Sequence, residues 1–109
     1  MQEVCEDPEI AIDEAVFQSE MATCARNKAI AYLLKSKDII DTDVEESVTF
    51  YTKMCSMSVN ARDLARFGLL LANDGVQLST GKRLISSQTV RMVQTIMLTC
   101  GMYDGSGEF

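Results

Sequence analysis

Glu20 and Asn27 stand seven positions apart in a stretch rich in helix formers, so a continuous helix would set a carboxylate and a primary amide on one face, with Cys24 between them. An acid and an amide so placed can grip a small zwitterion, the acid taking an ammonium and the amide a carboxylate. The same two residues serve equally well as a first-turn acid favoured by the helix dipole and a solvated amide. Acids must supply any acid or base work here because the chain has no His. No His general base, Ser-His-Asp triad or His-bearing zinc site can form within it.

Two phenols are the next candidates. Tyr51 shares an apolar face with Val48 and Cys55 and fits there as simple packing, while Tyr103 lies in a turn bounded by Gly101 and Gly107 where nothing local demands an aromatic ring. Glycines on both sides let backbone approach a ligand closely. Ser79-Thr80-Gly81-Lys82 has the Ser-x-x-Lys spacing of a serine nucleophile and its lysine. That pairing needs a helix start, where residues three apart share a face. Gly81 and the preceding Gln77-Leu78 argue for a loop, so the motif is expected to be a decoy. Cys5, Cys24, Cys55 and Cys100 show no CxxC spacing and are expected to be reduced, mostly buried thiols. No metal site and no cofactor are expected.

The elements that must position these residues are helical. Residues 1–18 are expected to be the end of a helix, stopping at Asp7-Pro8, followed by an extended connector; residues 19–109 form the helical core. A first helix is expected from Ser19 to Lys37, with Ala25, Ala29, Tyr32 and Leu33 on its core stripe. Thr42 with Glu45, or Asp43 with Glu46, offers a capping box for a second, along which Val44, Val48, Tyr51 and Cys55 recur. Asn60 caps a third, with Leu64, Phe67 and Leu71 on one face, Gly68 marking close helix packing, and Asn73-Asp74-Gly75 as its stop. After a loop over Val76 to Ile85, Ser86 caps a fourth helix that runs to about Thr99 with Val90, Val93, Met97 and Cys100 on its stripe. The expected fold is all-α, a compact four-helix lobe forming a single domain.

Bulk properties narrow the function. The 109 residues, 47% hydrophobic and 24% charged, suit one globular domain, and the net charge of −6 repels phosphate backbones and anionic lipid, so neither nucleic acid nor membrane is an expected partner. The acidic first twenty residues are the opposite of a secretory leader, and no apolar run approaches a membrane span, so a cytoplasmic location is expected. The glycine-rich ending at Phe109 reads as a point inside a longer chain.

Phe17-Gln18-Ser19-Glu20, Arg26-Asn27, Phe50-Tyr51, Cys55-Ser56, Leu71 to Val76, Thr80 to Arg83 and Leu98 to Phe109, taken in order, closely resemble the serine-dependent L-glutaminases with a β-lactamase-like fold. The resemblance runs from about Ile10 to the last residue. It implies hydrolysis of L-glutamine to L-glutamate and ammonia through an acyl-enzyme. By the same resemblance Glu20 holds the substrate's α-ammonium, Asn27 and Tyr51 contact its α-carboxylate end, and Tyr103 in Gly101-Met102-Tyr103-Asp104 is the catalytic tyrosine near the nucleophile.

Two departures stand out. Many members have Asp before the Arg-Asn pair, where this chain has Ala25. The family's Ser-x-x-Lys nucleophile and a further substrate Asn precede the matching region, and its Lys-Ser-Gly segment and oxyanion donor follow it. The resemblance therefore implies a central helical lobe whose partner is the remainder of the glutaminase chain, a sheet domain, and which is inactive alone. Apolar surface left bare on such a lobe would favour a homo-oligomer. The competing reading is a free-standing acidic helical module for protein interaction.

Overall fold

Side-chain caps set where most of the helices begin. In the computed structural model, which describes residues 1–102 and 105–108, the six helices are α1 (Gln2–Cys5), α2 (Glu14–Ala22), α3 (Ala25–Lys35), α4 (Val44–Cys55), α5 (Ala61–Ala72) and α6 (Ser87–Cys100). Asp13 caps α2, accepting the Val16 N–H at 3.0 Å. Asp43, rather than Thr42, caps α4 through the N–H groups of Glu45 and Glu46. Asn60 and Asp63 form a capping box on α5, and Ser86 accepts the Thr89 N–H at the start of α6. Among the described residues no strand forms; Ile12 pairs with Met57 and Val76 with Arg83 as isolated bridges. The architecture is all-α.

The expected helix from Ser19 to Lys37 is two helices. Thr23 interrupts it: its hydroxyl donates to the Ser19 and Glu20 carbonyls, its N–H bonds Glu20 three residues back, and Cys24 Sγ donates to the Met21 carbonyl. A Thr folded back on its own turn competes with the helical ladder. The connector shrinks at the same time, because the Asp13 cap draws residues 14–18 into α2 and leaves only the preceding stretch extended. α1 stops at Glu6, which takes a left-handed conformation with φ of 53° one residue ahead of Asp7.

Residues 9–59 form one compact unit. Within it α4 packs against both α2 and α3, and its core joins Cys24, Ala31, Val44 and Val48, with Met21 and Ile40 against them. Thr52 extends the buried α4 stripe one turn past Val48. The buried side of α3 is therefore that of Ala31, and the expected stripe faces outward: Tyr32 and Leu33 are each 59% exposed. Likewise Tyr51 and Cys55 lie outside the buried stripe of α4. The chain just ahead of α2 is tied to the chain just after α4 by Asp13 N–H to the Ser56 carbonyl at 2.8 Å and Ser58 N–H to the Ala11 carbonyl at 2.9 Å.

The other unit comprises residues 1–8 together with the chain from Asn60 onward. α1 packs on α5 and buries Cys5, and Arg66 of α5 donates to the Cys5 carbonyl at 2.7 Å and the Glu6 carbonyl at 3.1 Å. Leu70, Leu71 and Val90 supply further buried apolar bulk, and Gln94 of α6 donates to the Leu71 carbonyl at 3.0 Å. Leu64, expected inside, is exposed, and of the α6 stripe only Val90 is buried while Met97 and Cys100 are exposed. The stop after α5 behaves as expected: Gly75 takes φ of 78°, its N–H bonds the Leu70 carbonyl at 2.8 Å, and any Cβ there would strike the Ile85 carbonyl. Gly68 marks no close packing, since open space lies where its Cβ would be. All four cysteines are free, but only Cys5 and Cys24 are buried. Burial pushes the Cys5 thiol above its usual range, with the Asp63 carboxylate adding to the effect.

Candidate functional site

α3 and α4 frame a cavity of about 400 Å³ whose floor is apolar, made by Ile30, Ala31, Leu34, Ile40 and Val48. Three polar side chains join that lining: Asn27 from the first turn of α3, and Ser47 and Tyr51, one turn apart on α4. The size and the proportion of apolar to polar lining suit a small-molecule site. Ala31 brings the helices together because its small side chain is buried against Val44 and Val48.

Polar ties hold the frame. Lys35 at the end of α3 donates to the Asp41 carbonyl at 3.1 Å and the Thr42 carbonyl at 2.8 Å, which folds the connecting loop back on the helix. Lys28 Nζ lies 2.8 Å from Glu45 Oε2, and this hydrogen bond holds the Lys28 amine above the ordinary lysine range. Thr42 and Ser47 share a hydroxyl–hydroxyl bond of 2.5 Å.

Of the residues expected in a site, Asn27 and Tyr51 meet on this cavity. Glu20 does not line it: the carboxylate sits exposed on α2, beyond the break at Thr23. The shared face expected for Glu20 and Asn27 assumed a continuous helix, which the chain does not form. Tyr103 lies outside the described residues. Ser47 is the polar lining residue that sequence reasoning missed, and one serine among many in an acidic helix start carries no signal of its own.

The amide of Asn27 offers two donors and an acceptor, and the phenol of Tyr51 one donor and an acceptor. Neutral donors at the edge of an apolar hollow suit a carboxylate without demanding a buried cation.

Ser79 and Lys82 form no nucleophile pair. They sit in the turn after α5, where the Ser79 hydroxyl donates to the Glu6 carboxylate and Lys82 Nζ lies 2.6 Å from Glu3 Oε1. A smaller cavity of about 190 Å³ beside them is lined by Glu6, Arg66, Gln77 and Ser79 among apolar residues. Its polar groups are engaged within the fold, Gln77 donating to the Glu3 carbonyl at 2.9 Å and Arg66 to Cys5 and Glu6. Among the described residues no cluster of three or more His, Cys, Asp or Glu could hold a metal, and no helix is long and apolar enough to cross a membrane.

The family model described as Glutaminase matches residues 1–109. Glutaminase 2 of Clostridium perfringens is 50% identical over 101 residues, 93% of this chain and 33% of that protein. A glutaminase of Alkaliphilus oremlandii is 44% identical over 103 residues, 94% of this chain and 34% of its own length. Among solved structures, the Bacillus subtilis glutaminase in covalent complex with 5-oxo-L-norleucine, formed by reaction with 6-diazo-5-oxo-L-norleucine, superposes with a TM-score of 0.88 at 36% identity. That match covers 98% of this chain and 37% of the other. The chain thus spans about a third of the length of the relatives it matches, and it belongs to the glutaminase family.

Proposed function

We propose that this chain is the substrate-holding helical part of an enzyme that hydrolyses L-glutamine to L-glutamate and ammonia. The observation that carries the reading is the family match over the whole chain. The meeting of Asn27 and Tyr51 on one cavity supports it, because those are the residues that the resemblance assigns to the α-carboxylate end of the substrate. Glu20 takes the α-ammonium in this reading, its exposed carboxylate free to turn toward a ligand. Opposite ends of a zwitterion are then met by an acid and by neutral donors.

Tyr103 is assigned the proton relay at the nucleophile. A phenol titrates near ~10 when unperturbed, so it works near neutrality only with a cation close by to favour its ionised form or order its hydrogen bond. That cation and the nucleophile belong to the remainder of the enzyme, a sheet domain of the β-lactamase-like kind. Ser79 and Lys82 do not substitute for them, since each is bound to a different acid. The 109-residue chain by itself is expected to release no ammonia from glutamine. Free thiols at all four cysteines support a cytoplasmic setting. Exposed apolar side chains on and after α6, Leu98 at 86% among them, support a homo-oligomer.

The test is Tyr103→Phe in the complete enzyme, which keeps the ring and removes the hydroxyl. With folding intact, kcat for ammonia release should fall by roughly 10² to 10⁴ with KM little changed. Full activity would remove Tyr103 from the chemistry, and absence of glutaminase activity in the complete wild-type protein would overturn the function.

A further inference from the structure

We propose that the Lys28–Glu45 ion pair is a positioning brace for the α3–α4 cavity, fixing the axial register of the two helices and through it the spacing of Asn27 and Tyr51. The proposal rests on the reading of that cavity as the glutamine site.

The two helices have three connections of different kinds. At the loop end Lys35 grips the Asp41 and Thr42 carbonyls. In the middle Ala31 packs with Val44 and Val48. The third connection runs from Lys28 in the N-terminal half of α3 to Glu45 in the first turn of α4, at 2.8 Å. Apolar contact is non-directional and tolerates small sliding of one helix along the other. A charge-assisted hydrogen bond has a preferred length and direction and weakens as its two ends slide apart.

The brace begins one residue after Asn27 and ends one residue after the start of α4, where the Asp43 cap accepts the Glu45 and Glu46 N–H groups. Tyr51 follows Glu45 by six residues, about 9 Å along the axis, within a single uninterrupted helix. Any slip of α4 against α3 is therefore transmitted to Tyr51 relative to Asn27. In the reading of the cavity, Asn27 and Tyr51 bind the substrate and do not touch the reacting atoms, so a change in their spacing acts on KM and not on kcat. Both side chains are partly exposed, 35% for Lys28 and 55% for Glu45, so the pair contributes little to global stability. Its effect belongs in substrate affinity.

The experiment is steady-state glutamine hydrolysis by the complete enzyme carrying Lys28→Ala, Glu45→Ala, Lys28→Arg or the exchange Lys28→Glu with Glu45→Lys, each paired with a thermal melt. The two alanine variants should raise KM by about threefold or more while kcat and the melting temperature stay near wild type. Lys28→Arg and the exchange should bring KM back to within about twofold of wild type. Alanine variants with unchanged KM, or an exchange no better than the single variants, would overturn the brace. Asn27→Ala is measured alongside: if it raises KM and the brace variants do not, the brace alone is wrong, and if Asn27→Ala changes nothing, the reading of the cavity fails and the brace falls with it.

Discussion

Asn60 and Asp63 cap one another: Asn60 Oδ1 accepts the Asp63 N–H at 3.1 Å, and Asp63 Oδ2 accepts the Asn60 N–H at 2.9 Å. The exchange satisfies otherwise orphaned donors at the head of α5, and Asp63 is only 2% exposed. Asn60→Ala should destabilise the protein by about 1 kcal/mol, while Asn60→Asp, which preserves the acceptor, should cost much less. Urea unfolding midpoints for the two variants check this, and equal midpoints would show that the cap does not hold α5.

Gly75 and Gly68 should respond oppositely to a methyl group. Gly75→Ala combines a left-handed φ with collision against the Ile85 carbonyl, and is expected to destabilise by more than about 1 kcal/mol. Gly68 lies inside α5 with open space around it, so Gly68→Ala should be neutral or stabilising by up to about 1 kcal/mol. Thermal melts of both variants settle the sign. A loss at Gly68 equal to that at Gly75 would contradict the packing described.

Acid should loosen the protein through two carboxylates. Lys82 holds Glu3 below its usual range, and the Ser87 hydroxyl, followed by Arg83, does the same for Asp74. A depressed folded-state pKa adds stability above the unfolded value, ~3.9 for Asp and ~4.3 for Glu, and that stability is lost as pH falls through the folded-state value. Lys28 has the opposite sign: raised by Glu45, it contributes below its unfolded value and loses that contribution as pH climbs through its folded value. The melting temperature should therefore drop below about pH 4. Replacing Glu3 by Gln and Asp74 by Asn should make that drop shallower, whereas an identical acid limb in the double variant would rule the pairs out as its cause.

The legible parts of the fold are those written as local chemistry. Asp43, Asn60 and Ser86 each precede an apolar stripe and each caps a helix, and Gly75 ends α5 where a left-handed residue is required. α2 was hidden because it buries no residue, so its start rests on the Asp13 cap alone with no periodicity to announce it. The break at Thr23 was hidden because neither Gly nor Pro marks it; a hydroxyl turned back on the helix makes it. Tyr32 and Leu33 misled for another reason. They form a helical stripe, but periodicity cannot say which of two faces is covered, and the small Ala31 carries the close contact.

The candidate site divides in the same way. Asn27 and Tyr51 come from different helices, so no spacing in one segment reveals that they meet, and it was the resemblance to glutaminases that joined them. Glu20 was tied to Asn27 by a helical spacing that the Thr23 break removes.

The most direct measurement is a crystal structure of the complete enzyme with L-glutamate bound. The α-carboxylate should lie within hydrogen-bond distance, roughly 2.7 to 3.2 Å, of the Asn27 amide and the Tyr51 hydroxyl, with the α-ammonium against the Glu20 carboxylate. Glutamate seated away from the cavity between α3 and α4, beyond hydrogen-bond reach of Asn27 and Tyr51, would contradict the assignment of this chain as the part that holds the substrate.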